Sequence, residues 1–96
     1  YPSGDPFDGT TLWYCADGVG RDPNNGNQTY RLTCDMTPGS SGGPWLAPFS
    51  SGSGTLMSVN SYGYNGIDAM HGPVFTANTQ ALFTAAVSTT QNTIVP

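Results

Sequence analysis

The sequence contains no lysine, no glutamate, one histidine and only two cysteines among its 96 residues. Six aspartates and two arginines bring the charged content to 8% and the formal net charge to −4. Such a surface repels a phosphate backbone and offers no basic patch, which argues against a nucleic-acid partner. No stretch approaches the ~20 consecutive apolar residues that a membrane-spanning helix requires. The opening Tyr1-Pro2-Ser3 has none of the regions of a signal peptide, so the chain reads as mature, processed material. Neither a metal site nor a cofactor is expected.

Turn formers are abundant. Thirteen glycines and eight prolines, with many Ser, Thr and Asn residues, make a composition typical of secreted all-β proteins, and an extracellular location is expected. Cys15 and Cys34 are read as one disulfide rather than a metal pair, closing a loop worth roughly 3 kcal/mol in the chain-entropy model. Asn27-Gln28-Thr29 is a glycosylation sequon, relevant only in a eukaryotic secretory host. A chain of this size makes at most one domain, spanning residues 1–96. It buries only roughly 60–65% of the surface its unfolded form exposes, so a large private core is not expected.

Residue patterns predict short strands at Thr11–Cys15, Thr29–Thr33, Pro44–Ala47, Thr55–Tyr62 and Gly72–Thr76. Asn25-Gly26 and Ser50–Gly54 read as turns. Leu56, Met57 and Val59 are apolar on both faces of their strand, as inside a small barrel. The only helical spacing lies at Thr79–Val87, behind Asn78 as a cap, and the tail from Ser88 to Pro96 reads as frayed. One helix after about five strands implies an antiparallel β-barrel or sandwich.

Chemistry is concentrated in Gly39-Ser40-Ser41-Gly42-Gly43-Pro44-Trp45. A serine flanked by glycines is lifted clear of its backbone and can be approached closely by a substrate. Tight turns there aim N–H groups inward, as an oxyanion hole demands. A flexible linker is the bland reading of a Gly/Ser run. Against it, the run ends in a rigid proline followed by two large apolar residues.

Gly39-Ser40-Ser41-Gly42-Gly43-Pro44 resembles the Gly-Asp-Ser-Gly-Gly-Pro nucleophile loop of the trypsin/chymotrypsin-like serine peptidases, with Ser40 in the Asp position. Ser61-Tyr62-Gly63 resembles the family's Ser-Trp-Gly strand. Gly72-Pro73-Val74-Phe75 with Leu82-Phe83 resembles its closing strand and helix, and residues 1–15 the start of the second barrel in microbial secreted members. The resemblance implies an all-β fold: the second antiparallel barrel of a two-barrel peptidase, with a short C-terminal helix. It implies Ser41 as nucleophile, the N–H groups of Gly39 and Ser41 as the oxyanion hole, and Ser61, Tyr62 and Gly63 as the wall of the primary pocket. Asp35 falls where the pocket floor is set, and an acid there selects Lys or Arg; a turn cap beside the disulfide is its alternative reading. Ser40 removes the usual activation switch, in which a new N-terminus pairs with Asp.

A serine hydroxyl needs a base, itself oriented by an acid. The family's triad runs His, Asp, Ser, yet no histidine precedes Ser41. Gly39-x-Ser41-x-Gly43 also fits the elbow of α/β-hydrolases, with Asp68 and His71 following, but that fold needs a helix where Pro44 and a strand follow. His71 is therefore expected to be structural or on the pocket rim. The base and acid are expected from a separate N-terminal barrel chain. The alternative is an inactive half-peptidase that binds peptide or carbohydrate through Trp13, Tyr14, Tyr62 and Tyr64. Aromatics at such positions are more often core than ligand platform.

Overall fold

The computed structural model describes residues 1–90. Seven short strands precede one helix: β1 (Ser3–Gly4), β2 (Phe7–Asp8), β3 (Gly20–Arg21), β4 (Tyr30–Thr33), β5 (Pro44–Ser50), β6 (Ser53–Val59), β7 (Ala69–Gly72) and α1 (Ala77–Ser88). All pairings are antiparallel and fall into three ladders, β1-β2, β3-β4-β7 and β5-β6. Among the described residues the fold is thus mostly antiparallel β with one C-terminal α-helix, the β character that the composition implied.

The β5-β6 hairpin turns through Ser51 and Gly52, whose φ values of 54° and 78° are both positive. A two-residue turn of this kind matches the right-handed strand twist. The hairpin carries Trp45, which packs with Cys34 and Met70 in the small buried core; Cys15, Leu32, Met36 and Met57 close around them. Cys15 and Cys34 are joined by a disulfide, which ties the segment before β3 to the end of β4. β7 lies against the hairpin so closely that a side chain at Gly72 would strike the Val59 carbonyl oxygen and Ser58 Oγ. Ser58 is fully buried and its hydroxyl donates to the Pro73 carbonyl at 2.7 Å.

Several boundaries differ from the sequence reading. Thr11–Cys15 forms no strand among the described residues: β propensity becomes a strand only against a ladder partner, and here Leu12 and Tyr14 stand 79% and 87% exposed. The last strand is Ala69–Gly72 rather than Gly72–Thr76, because Leu32 pairs with Met70 and Tyr30 with Gly72. The long central strand ends at Val59, and Tyr62 makes only an isolated bridge to His71. The helix begins two residues early, capped by Thr76 rather than Asn78: the Thr76 N–H donates to Thr79 Oγ1 in a capping box. Asn25-Gly26 closes a 3₁₀ turn over Pro23–Asn25, with Gly26 left-handed at φ 71°. Of the tail expected to fray, residues 91–96 lie outside the described part.

Candidate active site

The loop between β4 and β5 is built from two turns. Gly39 adopts φ 106°, and a side chain there would collide with the Tyr1 carbonyl oxygen. Next, the Gly43 N–H donates to the Ser40 carbonyl at 3.0 Å, while Gly42 sits at φ 81°. That is a type II turn with Ser41 at its corner and glycine where positive φ is required. Ser41 is exposed. Among the described residues nothing accepts a bond from the N–H of Gly39 or of Ser41, nor from the Ser41 hydroxyl. The loop thus carries an accessible serine and two backbone donors left without an acceptor, the groups that acyl-transfer chemistry uses.

Ser40, in the position where the resemblance expects Asp, is buried and donates its hydroxyl to the Thr37 carbonyl at 3.1 Å. The Ser40 side chain is thus held by a neutral local bond. Ser41 lines a cavity of about 410 Å³ together with Asp35, Ser61, Tyr62, Gly63 and Asp68 among others. The structure therefore brings Ser41 together with all four residues expected to form its pocket. Asp35 and Asp68 are exposed, and no arginine lines the cavity. Asn27 is exposed at φ 65°, far along the chain in the loop after the 3₁₀ turn.

His71 is 1% exposed on β7 and does not line this cavity. It belongs to a buried polar cluster behind the pocket wall. Its ring stacks on Tyr62 at 4.8 Å, its Nδ1 donates to the Tyr62 carbonyl at 3.3 Å, and its Nε2 stands 3.9 Å from Asp22 Oδ2. Of its two expected places, structural and pocket rim, it occupies the first. Asp22, which sequence reading did not single out, is fully buried and accepts the hydroxyls of Tyr62 at 2.6 Å and Tyr64 at 2.7 Å. Burial by itself would raise the Asp22 carboxyl, but those two hydroxyls, the Asn24 N–H and nearby His71 outweigh it and hold the group below the ordinary carboxylate value. The same bond from Tyr64 to the carboxylate pushes the Tyr64 phenol well above its usual range. Both tyrosine rings are thus anchored from behind while lining the cavity. Proximity of Asp22 to residues forty positions away left no local sequence signal.

A second, apolar depression of about 660 Å³ opens beside the core, lined by Leu12, Trp13, Tyr14, Trp45, Leu46 and Phe49 among others. Leu82, Phe83 and Val87 of α1 are also exposed, and no residue of that helix is buried. Among the described residues no group of three His, Cys, Asp or Glu side chains could hold a metal ion, and no helix is long and apolar enough to cross a membrane.

No protein-family model matches the chain, and no curated protein sequence does. Two solved structures are similar to it. One is the thermostable serine protease AL20 from an extremophilic microorganism, with TM-score 0.83 and 39% identity over 93% of this chain. The other is the protease Anisep from Arthrobacter nicotinovorans, with TM-score 0.77 and 43% identity over 92% of this chain. In both cases the chain spans 41% of the other's length. Likeness of this extent in sequence and backbone, together with an exposed serine in the Gly-Ser-Ser-Gly-Gly-Pro loop, leads to one conclusion: the chain belongs to the trypsin/chymotrypsin-like serine peptidases and spans less than half of their length.

Proposed function

We propose that the chain supplies the nucleophile, oxyanion hole and primary pocket of a serine endopeptidase, and that the base and acid come from an N-terminal barrel. The observation that carries this reading is an exposed Ser41 that lines a cavity, with the N–H groups of Gly39 and Ser41 in the same loop making no hydrogen bond among the described residues. Ser41 Oγ attacks the scissile carbonyl carbon, and its proton passes to the partner's imidazole. Negative charge on the carbonyl oxygen is met by the two N–H donors. The C–N bond then breaks, the imidazole returns the proton to the leaving amine, and water hydrolyses the acyl-Ser41 ester by the same steps in reverse order.

Two features favour a partner barrel. The similar proteases are more than twice as long as this chain. Leu12, Trp13, Tyr14 and the apolar face of α1 stand uncovered, an apolar area of the kind that marks a docking surface. The disulfide fits an oxidising, extracellular compartment. With two carboxylates and no arginine around the cavity, the pocket favours Lys or Arg beside the scissile bond.

A serine-directed fluorophosphonate tests the reading. Native protein should gain one label on Ser41, and Ser41→Ala should abolish both label and peptide hydrolysis. Native material that takes no label would refute catalysis by Ser41. Asp35→Asn should lower kcat/KM for arginine substrates by roughly tenfold or more while sparing small esters; unchanged preference would remove the charge-based account of the pocket.

A further inference from the structure

The oxyanion-hole donors are backbone N–H groups, and an N–H cannot be aimed independently of its own peptide plane. In a trans peptide the carbonyl and the N–H point in opposite directions. Whatever holds the carbonyl oxygen therefore sets where the donor points. The Gly39 N–H shares its peptide with the Pro38 carbonyl, and the Ser41 N–H with the Ser40 carbonyl.

Both carbonyls are held from behind. The Pro38 oxygen accepts twice from Ser3, from the backbone N–H at 2.9 Å and from the hydroxyl at 2.9 Å. The Thr37 hydroxyl donates in return to the Ser3 carbonyl, so the two segments are laced together. The Ser40 oxygen accepts from the Gly43 N–H at 3.0 Å and from Asn60 Nδ2 at 3.0 Å. Asn60 is committed at every polar group: its N–H donates to the Gly43 carbonyl at 2.8 Å, and its own carbonyl accepts the Gly42 N–H at 2.8 Å. Its Oδ1 accepts the Trp45 indole N–H at 2.6 Å. Since an indole nitrogen can only donate, Oδ1 must face Trp45, and Nδ2 must face Ser40.

Glycine at 43 follows from the same contact. A Cβ there would lie 2.9 Å from Asn60 Nδ2 and 3.0 Å from the Ser40 oxygen, inside the bond that orients Ser41. Gly43 thus leaves room for the amide.

We propose that Ser3 and Asn60 are positioning residues for the oxyanion hole, each fixing one of the two peptides whose N–H groups meet the developing charge. This rests on the reading of Gly39 and Ser41 as that hole. Neither residue lines the cavity beside Ser41, and both act through the peptide plane. Losing a donor outright typically costs ~10²–10³ in turnover, and a misdirected donor costs less.

The test uses the assembled native protein and p-nitrophenyl acetate, whose small acyl group makes the result independent of pocket preference. Asn60→Asp keeps the acceptor for Trp45 and removes the donor to Ser40. It should lower kcat by on the order of 10–100-fold with KM within about twofold. Ser3→Ala, an exposed change that leaves the backbone N–H bond, should lower kcat by roughly threefold to tenfold, and Ser3→Thr should restore it. Parent protein is labelled first with the fluorophosphonate. If parent takes the label and both variants turn over at the parent rate, the positioning role alone is overturned. If KM rises in step with the fall in kcat/KM, the residues act on binding, which also overturns it. Parent that takes no label overturns the reading of Ser41 and this inference with it.

Discussion

Replacing Trp45 by Phe tests the link between the core and the nucleophile loop. Trp45 is buried against Cys34 and Met70, and its indole N–H is the donor to Asn60 Oδ1 at 2.6 Å. The smaller ring gives up about 40 Å² of buried apolar area, or ~1 kcal/mol at about 25 cal/mol per Å². Leaving a half-buried amide oxygen without its donor adds about 1–3 kcal/mol. The sum is about 2–4 kcal/mol, which in urea, with a slope near 1–2 kcal/mol/M, lowers the unfolding midpoint by about 1–4 M. Equilibrium urea unfolding of the native protein, followed by near-ultraviolet circular dichroism, reads this directly. Leu46→Ala is the control, because the neighbouring side chain is 38% exposed and makes no polar contact; it should cost less than Trp45→Phe. A double-mutant cycle with Asn60→Ala should give a coupling of about 1 kcal/mol or more. Additive effects in that cycle, or a loss no greater than that of Leu46→Ala, would refute the argument.

Three further outcomes follow from the packing and the charges. Gly72→Ala should destabilise by roughly 1–3 kcal/mol or more, since its Cβ meets the Val59 carbonyl and the buried Ser58 hydroxyl; a change under ~0.5 kcal/mol in urea unfolding would contradict that close approach. Reducing the Cys15–Cys34 bridge, which spans 19 positions, should cost about 3 kcal/mol, read as a lower thermal midpoint in reductant that Cys15→Ala/Cys34→Ala reproduces. Asp22 has its folded pKa lowered below 3.8, so its ionised form adds stability that is fully present above that value and lost as pH falls through the lowered one. Asp22→Asn should therefore be less stable than the native protein at pH 5–7, with the gap narrowing below pH 3.8. A gap constant across acid titration would rule out this assignment.

Local residue patterns carried much of this molecule. The predicted strands at Pro44–Ala47 and Thr29–Thr33 fall within or around β5 and β4 (Tyr30–Thr33), and the glycines at 39 and 42 occupy positive φ, because backbone freedom and turn chemistry are properties of the residue itself. Cys15 and Cys34, alone in the chain, could pair only with each other. The family resemblance rested on that same loop and named the residues that the fold gathers around one cavity.

What local pattern could not reach depends on distance in sequence. The closing strand was misplaced because its register is set by pairing with β4, nearly forty residues earlier. Thr11–Cys15 has strand propensity without a partner in the described chain, and its aromatics stay exposed. His71 stood out as the lone histidine, yet only the tertiary structure put it behind the pocket with Asp22, its ring stacked on Tyr62. Ser41 stood out in the sequence as the candidate nucleophile because of its glycine neighbours. The direction of the two N–H groups beside it is decided by Ser3 and Asn60, which reach it only after the chain has folded.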